Sequence, residues 1–106
     1  MISFEQFKEV ELKVGEIVSA ERIEGSNKLL RLRVSLGEEE RQIIAGIGRK
    51  YEPESLIGRQ IVIAANLEPK QMMGEESQGM LLAADSPEGP IFLTPEHQVP
   101  PGTNIR

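Results

Sequence analysis

Leu30-Arg31-Leu32-Arg33-Val34-Ser35-Leu36 carries an apolar side chain at every second position and a basic or small polar one between them. A period of two belongs to a strand with one buried face, so Leu30, Leu32, Val34 and Leu36 are expected in a core, with Arg31, Arg33 and Ser35 outside it. Upstream, Gly25-Ser26-Asn27 reads as a turn. Before it, Val10, Leu12 and Val14 alternate with Glu11 and Lys13, and past Gly15 the apolar positions move to the other parity at Ile17 and Ile23. That slip predicts a bulge or bend at Gly15, by which a strand turns the corner of a small barrel. Downstream, Gly37-Glu38-Glu39-Glu40 reads as a charged hairpin loop, and Ile43-Ile44-Ala45 as the start of a third strand buried on both faces. Pro53-Glu54-Ser55-Leu56, with Gly58 behind it, predicts one short helix with proline in its first turn. Gln60–Ala65 and Leu81–Ala84 read as two further buried strands, and Ile91-Phe92-Leu93 as a short one after the turn Ser86–Pro90. At the N-terminus Ser3 and Gln6 have the spacing of a capping box, with Ile2 placed to staple on Phe7. Five core strands with a helix between the third and fourth predict an all-β OB-fold, a five-stranded Greek-key barrel with small N- and C-terminal extensions. Residues 1–106 are expected to form one domain.

Composition narrows the chemistry. The chain has no cysteine and a single histidine, His97, which excludes disulfides and leaves too few ligands for a zinc site, so no metal and no cofactor are expected. A general base at His97 would need partners that its neighbours do not provide, and the glutamates show no acid/base spacing; no catalytic residue is assigned. No apolar run approaches the roughly 20 residues of a membrane helix, and the first turns carry Glu5, Glu9 and Glu11 rather than a basic and apolar leader, which makes a soluble cytoplasmic protein the expectation. The formal net charge is -5, the wrong sign for a nonspecific nucleic-acid binder. The charge is segregated, however: the first 27 residues hold six acids against three bases, whereas Lys28–Leu36 holds Lys28, Arg31 and Arg33 and no acid.

Asn66-Leu67-Glu68-Pro69-Lys70-Gln71-Met72-Met73-Gly74-Glu75-Glu76-Ser77-Gln78-Gly79-Met80 is long for a connection in so short a chain. Pro69, Gly74 and Gly79 punctuate it with turns, as in a structured binding loop rather than a tether. Its pattern, Asn-Leu-x-Pro followed by a hydrophobic residue, glycine and Ser-x-Gly-Met, resembles the signature of the tRNA-binding domain family. That family is found at the C-terminus of many methionyl-tRNA synthetases, in free-standing tRNA-binding proteins and in the endothelial monocyte-activating polypeptide group. Val14-Gly15-Glu16-Ile17 with Lys28-Leu29-Leu30, Arg41-Gln42-Ile43-Ile44-Ala45-Gly46-Ile47 and Pro100-Pro101-Gly102-Thr103 are similar to its other motifs, so the resemblance covers nearly the whole chain. Met73, in place of the basic residue many members carry before the loop glycine, and the Gly25-Ser26 turn are similar to archaeal-type synthetase appendages.

The resemblance implies tRNA as partner, a homodimer built with the terminal extensions, and association with a methionyl-tRNA synthetase catalytic chain. It places Lys28, Arg41, Gln42, Asn66, Ser77 and Met80 in the site. Lys28 is read as a phosphate contact or a solvated turn residue, and Lys70, the single cation of the loop, as a phosphate contact. Arg31 and Arg33 face outward, toward phosphate or toward a glutamate on a neighbouring strand. The amides of Gln42 and Asn66 suit a ribose hydroxyl, a phosphate oxygen or, for Asn66, the turn itself. Ser77 offers a donor, and Met80 an apolar surface for a base or sugar, or a core residue ahead of Leu81. Aromatics are limited to Tyr51 and three phenylalanines, which disfavours base stacking on single strands and favours reading the shape and backbone of folded RNA. Two other functions fit the same residues: a peptide-binding export chaperone with a groove lined by Met72, Met73 and Met80, or a pure dimerisation domain in which the basic strand pairs internally with glutamates.

Overall fold

The computed structural model describes residues 1–106. The chain enters through the helix α1, Phe4–Lys8, on the predicted capping box: Ser3 Oγ accepts the Gln6 N–H at 3.1 Å and Gln6 Oε1 accepts the Ser3 N–H at 2.9 Å. None of its residues is buried. β1, Leu12–Arg22, then serves both halves of the barrel. Its first half, Leu12 to Glu16, pairs antiparallel with β4 (Gln60–Ala64), and its second half, Glu16 to Arg22, pairs antiparallel with β2 (Leu30–Ser35). The irregularity lies between Ile17 and Ser19, at Val18, and not at Gly15. Gly15 stays in a regular ladder opposite Ile61, where a Cβ would overlap the Val34 side chain. The expected bend is therefore real but displaced, because this glycine provides space rather than a turn.

In β2 the alternation holds, with Leu30, Leu32 and Val34 fully buried. β3, Glu40–Ala45, pairs with it antiparallel from Ser35↔Glu40 to Leu30↔Ala45. Ile43, Ile44 and Ala45 are buried as expected but end this strand instead of starting it, since Glu40, Arg41 and Gln42 already pair with Ser35, Val34 and Arg33. A single 3-10 turn, Pro53–Leu56, with proline at its start, leads to β4, all five residues of which are buried.

The long connection is a β-hairpin. β5, Lys70–Met72, pairs with β6, Glu75–Ser77, through the two-residue turn Met73-Gly74. Both turn residues have positive φ, 50° and 78°, as a type I′ turn demands, and Met73 is the one non-glycine residue in that region. β7, Met80–Leu81, returns to pair with β4. The expected buried strand Leu81–Ala84 is not formed. Leu81 and Leu82 are half-buried, while Ala83 and Ala84 are exposed in a separate ribbon made by β8 (Ala83–Ser86) and β9 (Gly89–Phe92). This ribbon extends past the ladder with β4, and its alanines are exposed. Its anchor is Phe92, which is buried and packs with Tyr51 at 5.0 Å between ring centroids.

The sheet order β3-β2-β1-β4-β7, with the 3-10 turn between β3 and β4, is the all-β, OB-like barrel that the pattern predicts. One core of Ile17, Leu30, Leu32, Val34, Ile43, Leu56, Ile61 and Ile63 with their neighbours fills it. β10, Asn104–Ile105, closes the chain against Leu12 and Lys13 of β1. Buried Gln60 pins the preceding segment by exchanging two hydrogen bonds with the Val99 backbone, at 2.6 and 3.1 Å. No helix is long and apolar enough to cross a membrane.

Candidate nucleic-acid interface

Between β3 and the returning hairpin the barrel is sewn together mainly by side chains. The Ser77 hydroxyl, nearly inaccessible, accepts the Ile44 N–H at 2.9 Å and donates to the Gly79 carbonyl at 2.8 Å. Gln78 Oε1 accepts the Gln42 N–H at 3.0 Å, its own N–H donates to the Gln42 carbonyl at 2.8 Å, and Gln42 Nε2 donates to the Glu76 carbonyl at 2.9 Å. Arg41 donates to the carbonyls of Ala65 and Gln78 and pairs with Glu39 at 2.7 Å. Three of the residues expected in the site, Arg41, Gln42 and Ser77, thus hold the hairpin on the barrel.

Asn66 is also engaged within the fold. Its Nδ2 donates to the Glu9 carbonyl at 2.7 Å and its Oδ1 accepts the Glu11 N–H at 2.8 Å, so the amide acts as an extra peptide unit between the loop and the segment after α1. The basic strand is neutralised. Arg31 sits between Glu75, at 2.9 Å from its Nε, and Glu21, while Arg33 pairs with Glu40 at 3.1 Å. The Arg31 hydrogen bond, with its charge in support, holds the Glu75 carboxyl below its ordinary value, and the bonds to Glu75 and then Glu21 push the Arg31 pKa further up. Arg31 and Arg33 do face outward as alternation predicts, and glutamate is what they meet.

Lys28, Lys70 and Met80 remain available. Both lysines are exposed with no carboxylate within 4.0 Å. Met80 is 49% exposed, on the surface and not in the core. Met80 and Lys70 border a groove of about 360 Å³ lined also by Ala45, Gly46, Ile47, Leu67, Met72, Ser77, Leu81 and Pro90. The Lys28 stem lies across Gly46, where a Cβ would come within 2.9 Å of Lys28 Cε, so this lysine adjoins the groove. Leu67, Ile47 and Pro90 were not among the residues expected in the site, although Leu67 and Ile47 stand within the quoted motifs. They come from the connection after β3, the connection after β4 and the strand β9, and none is a polar or charged residue of the kind that marks an RNA contact.

A family model described as "Putative tRNA binding domain" matches residues 12–104. The chain belongs to that family. Among sequences of this tRNA-binding domain family, it is similar to a methionine--tRNA ligase of Methanothrix thermoacetophila, 55% identical over 106 residues, which is all of this chain and 16% of the ligase. The chain thus spans about a sixth of the length of such ligases. Among solved structures, a MetRS related protein from Pyrococcus horikoshii superposes with a TM-score of 0.93 at 36% identity, covering 100% of this chain and 98% of that one. The chaperone CsaA from Bacillus anthracis superposes with a TM-score of 0.92 at 34% identity, covering 100% and 99%.

Proposed function

We propose that this chain is a noncatalytic module, one domain over residues 1–106, that binds folded tRNA by shape and backbone contact and raises its local concentration for a methionyl-tRNA synthetase in the cytoplasm. The observation that carries the reading is the juxtaposition, in a member of the tRNA-binding domain family, of two unpaired lysines, Lys28 and Lys70, with the groove bordered by Met80. Phosphates meet the lysines, and a sugar or base edge lies on the methionine. Arg31, Arg41, Gln42, Asn66 and Ser77 contribute by holding the loop and hairpin beside that groove, whereas Arg33, paired with Glu40 between β2 and β3, makes no contact with tRNA in this reading. Filter binding of total tRNA at two salt concentrations tests the reading, with affinity expected to fall as salt rises.

A second reading, a peptide-binding chaperone, draws support from the apolar groove walls at Leu67, Met72, Met80 and Leu81 and from the likeness to the CsaA chaperone structure. It predicts binding of unfolded polypeptide with a flat salt response. A third, pure dimerisation without RNA, draws on the internal pairing of Arg31 and Arg33; the unpaired Lys28 and Lys70 favour RNA over it. Homodimer formation belongs to the first reading as well. Ile2, Phe4 and Phe7, 68%, 67% and 40% exposed, offer an apolar end beside Val10 and Ile105 that a second copy would cover. A monomeric mass in light scattering at tens of micromolar would remove it.

A further inference from the structure

The connection from β3 to the 3-10 turn carries Arg49 and Lys50, both exposed and neither within 4.0 Å of a carboxylate. This turn is docked, backbone to backbone, on the β1–β2 turn that carries Lys28. The Gly48 N–H donates to the Lys28 carbonyl at 2.7 Å. A Cβ at position 48 would stand 2.9 Å from the carbonyl oxygens of both Asn27 and Lys28, so only glycine lets the two turns approach. Arg22 clamps the same junction: its Nη1 donates to the Gly48 carbonyl at 2.8 Å and reaches the Asn27 carbonyl, while its Nη2 pairs with Glu52 at 3.3 Å. Arg22 thereby also occupies the carboxylate nearest in sequence to Lys50.

Other cations are placed elsewhere. Arg31, Arg33 and Arg41 are paired with glutamates, and Lys8 and Arg59 lie over the rings of Phe4 and Phe92. Lys13 and Arg106 line the separate groove beside α1 and β10. What remains, Lys28, Arg49, Lys50 and Lys70, belongs to the two clamped turns and the groove they adjoin.

We propose that Arg49 and Lys50 are phosphate-binding residues of the RNA interface, set beside Lys28 by the Arg22 clamp, and that the RNA backbone runs from this two-turn platform to Lys70. The inference rests on the tRNA-binding reading and assigns the ionic contacts to these turns instead of the basic strand. At about 0.7 to 0.9 of log-log salt slope per phosphate, four contacts lower tRNA affinity by roughly 50- to 150-fold between about 50 and 200 mM salt, and two contacts by roughly 7- to 12-fold.

The test is tRNA titration over that salt range with wild type, Arg49→Gln/Lys50→Gln, and Arg33→Gln. Expected are the steep dependence in wild type and in Arg33→Gln, and the shallow one in the double variant at unchanged melting temperature. The charge-retaining pair Arg49→Lys/Lys50→Arg keeps the steep slope, which separates charge from turn structure. A double variant as steep as wild type overturns the platform and leaves tRNA binding standing. A wild type that binds no tRNA overturns the functional reading itself, and the platform with it.

Discussion

Ser77→Ala removes one oxygen, and the seam predicts a stability loss out of proportion to its size. The Ile44 N–H that this oxygen accepts is buried, with Ile44 at 5% and Ser77 at 3% exposure. Methyl in place of hydroxyl leaves that donor without a partner, at a cost of about 1–3 kcal/mol. The second partner, the Gly79 carbonyl, is half-exposed and can turn to water, so it adds little. With a central value of about 2 kcal/mol and an unfolding entropy of about 2.1 cal/mol/K per residue over 106 residues, the melting temperature falls by about 9 °C. Thermal denaturation followed by circular dichroism measures this directly. Lys70→Ala is the control, since it removes an exposed, unpaired side chain and should leave the melting temperature unchanged while weakening tRNA binding. A Ser77→Ala protein melting within about 2 °C of wild type would refute the claim that this hydroxyl helps close the barrel.

Met80→Ala should lower tRNA affinity while costing well under the roughly 2–5 kcal/mol of a core truncation, because the side chain is half-exposed; paired melting and binding measurements check it. Asn66→Ala removes both hydrogen bonds between the loop and the segment after α1, at about 0.5–1.5 kcal/mol each, and should speed hydrogen exchange at the Glu11 amide ahead of the rest of the barrel. Glu75 is depressed below its ordinary 4.5 by Arg31, so its anchoring of the hairpin is fully present above that pH and is lost as pH falls through the lowered value. NMR shifts of the Lys70–Ser77 amides should report this acid transition in wild type and lose it in Glu75→Gln.

The barrel was legible wherever one strand buries one face. Leu30, Leu32 and Val34 alternate because β2 lies over a core, and Gln60–Ala64, paired with β1 on one edge and β7 on the other, is buried throughout. Local rules also reached the capping box at Ser3 and Gln6 and the proline-led turn at Pro53. They did not reach the site's wiring. Alternation says that Arg31 points outward, but its carboxylates come from 10 and 44 residues away, and only the folded register brings them opposite. Ser77, Gln42 and Asn66 look like polar loop residues in sequence, yet each satisfies backbone groups 33 to 57 residues distant. Leu81–Ala84 misled because an apolar run indicates burial only where a second layer covers it, and Ala83 and Ala84 lie exposed in the β8–β9 ribbon. Arg49 and Lys50 escaped notice because their neighbour Lys28 is brought to them by a backbone contact across the top of two turns.

The side-chain seam has a consequence for the outer edge of β3. An edge strand normally presents a row of free N–H and C=O groups, open to pairing with any extended chain. Here the N–H groups of Gln42 and Ile44 are already taken by Gln78 and Ser77, and the Gln42 carbonyl by the Gln78 N–H. An extended chain arriving at the middle of β3 therefore finds these three groups already occupied. The stitches that shape this surface thus also withdraw the middle of β3 from strand-to-strand self-association.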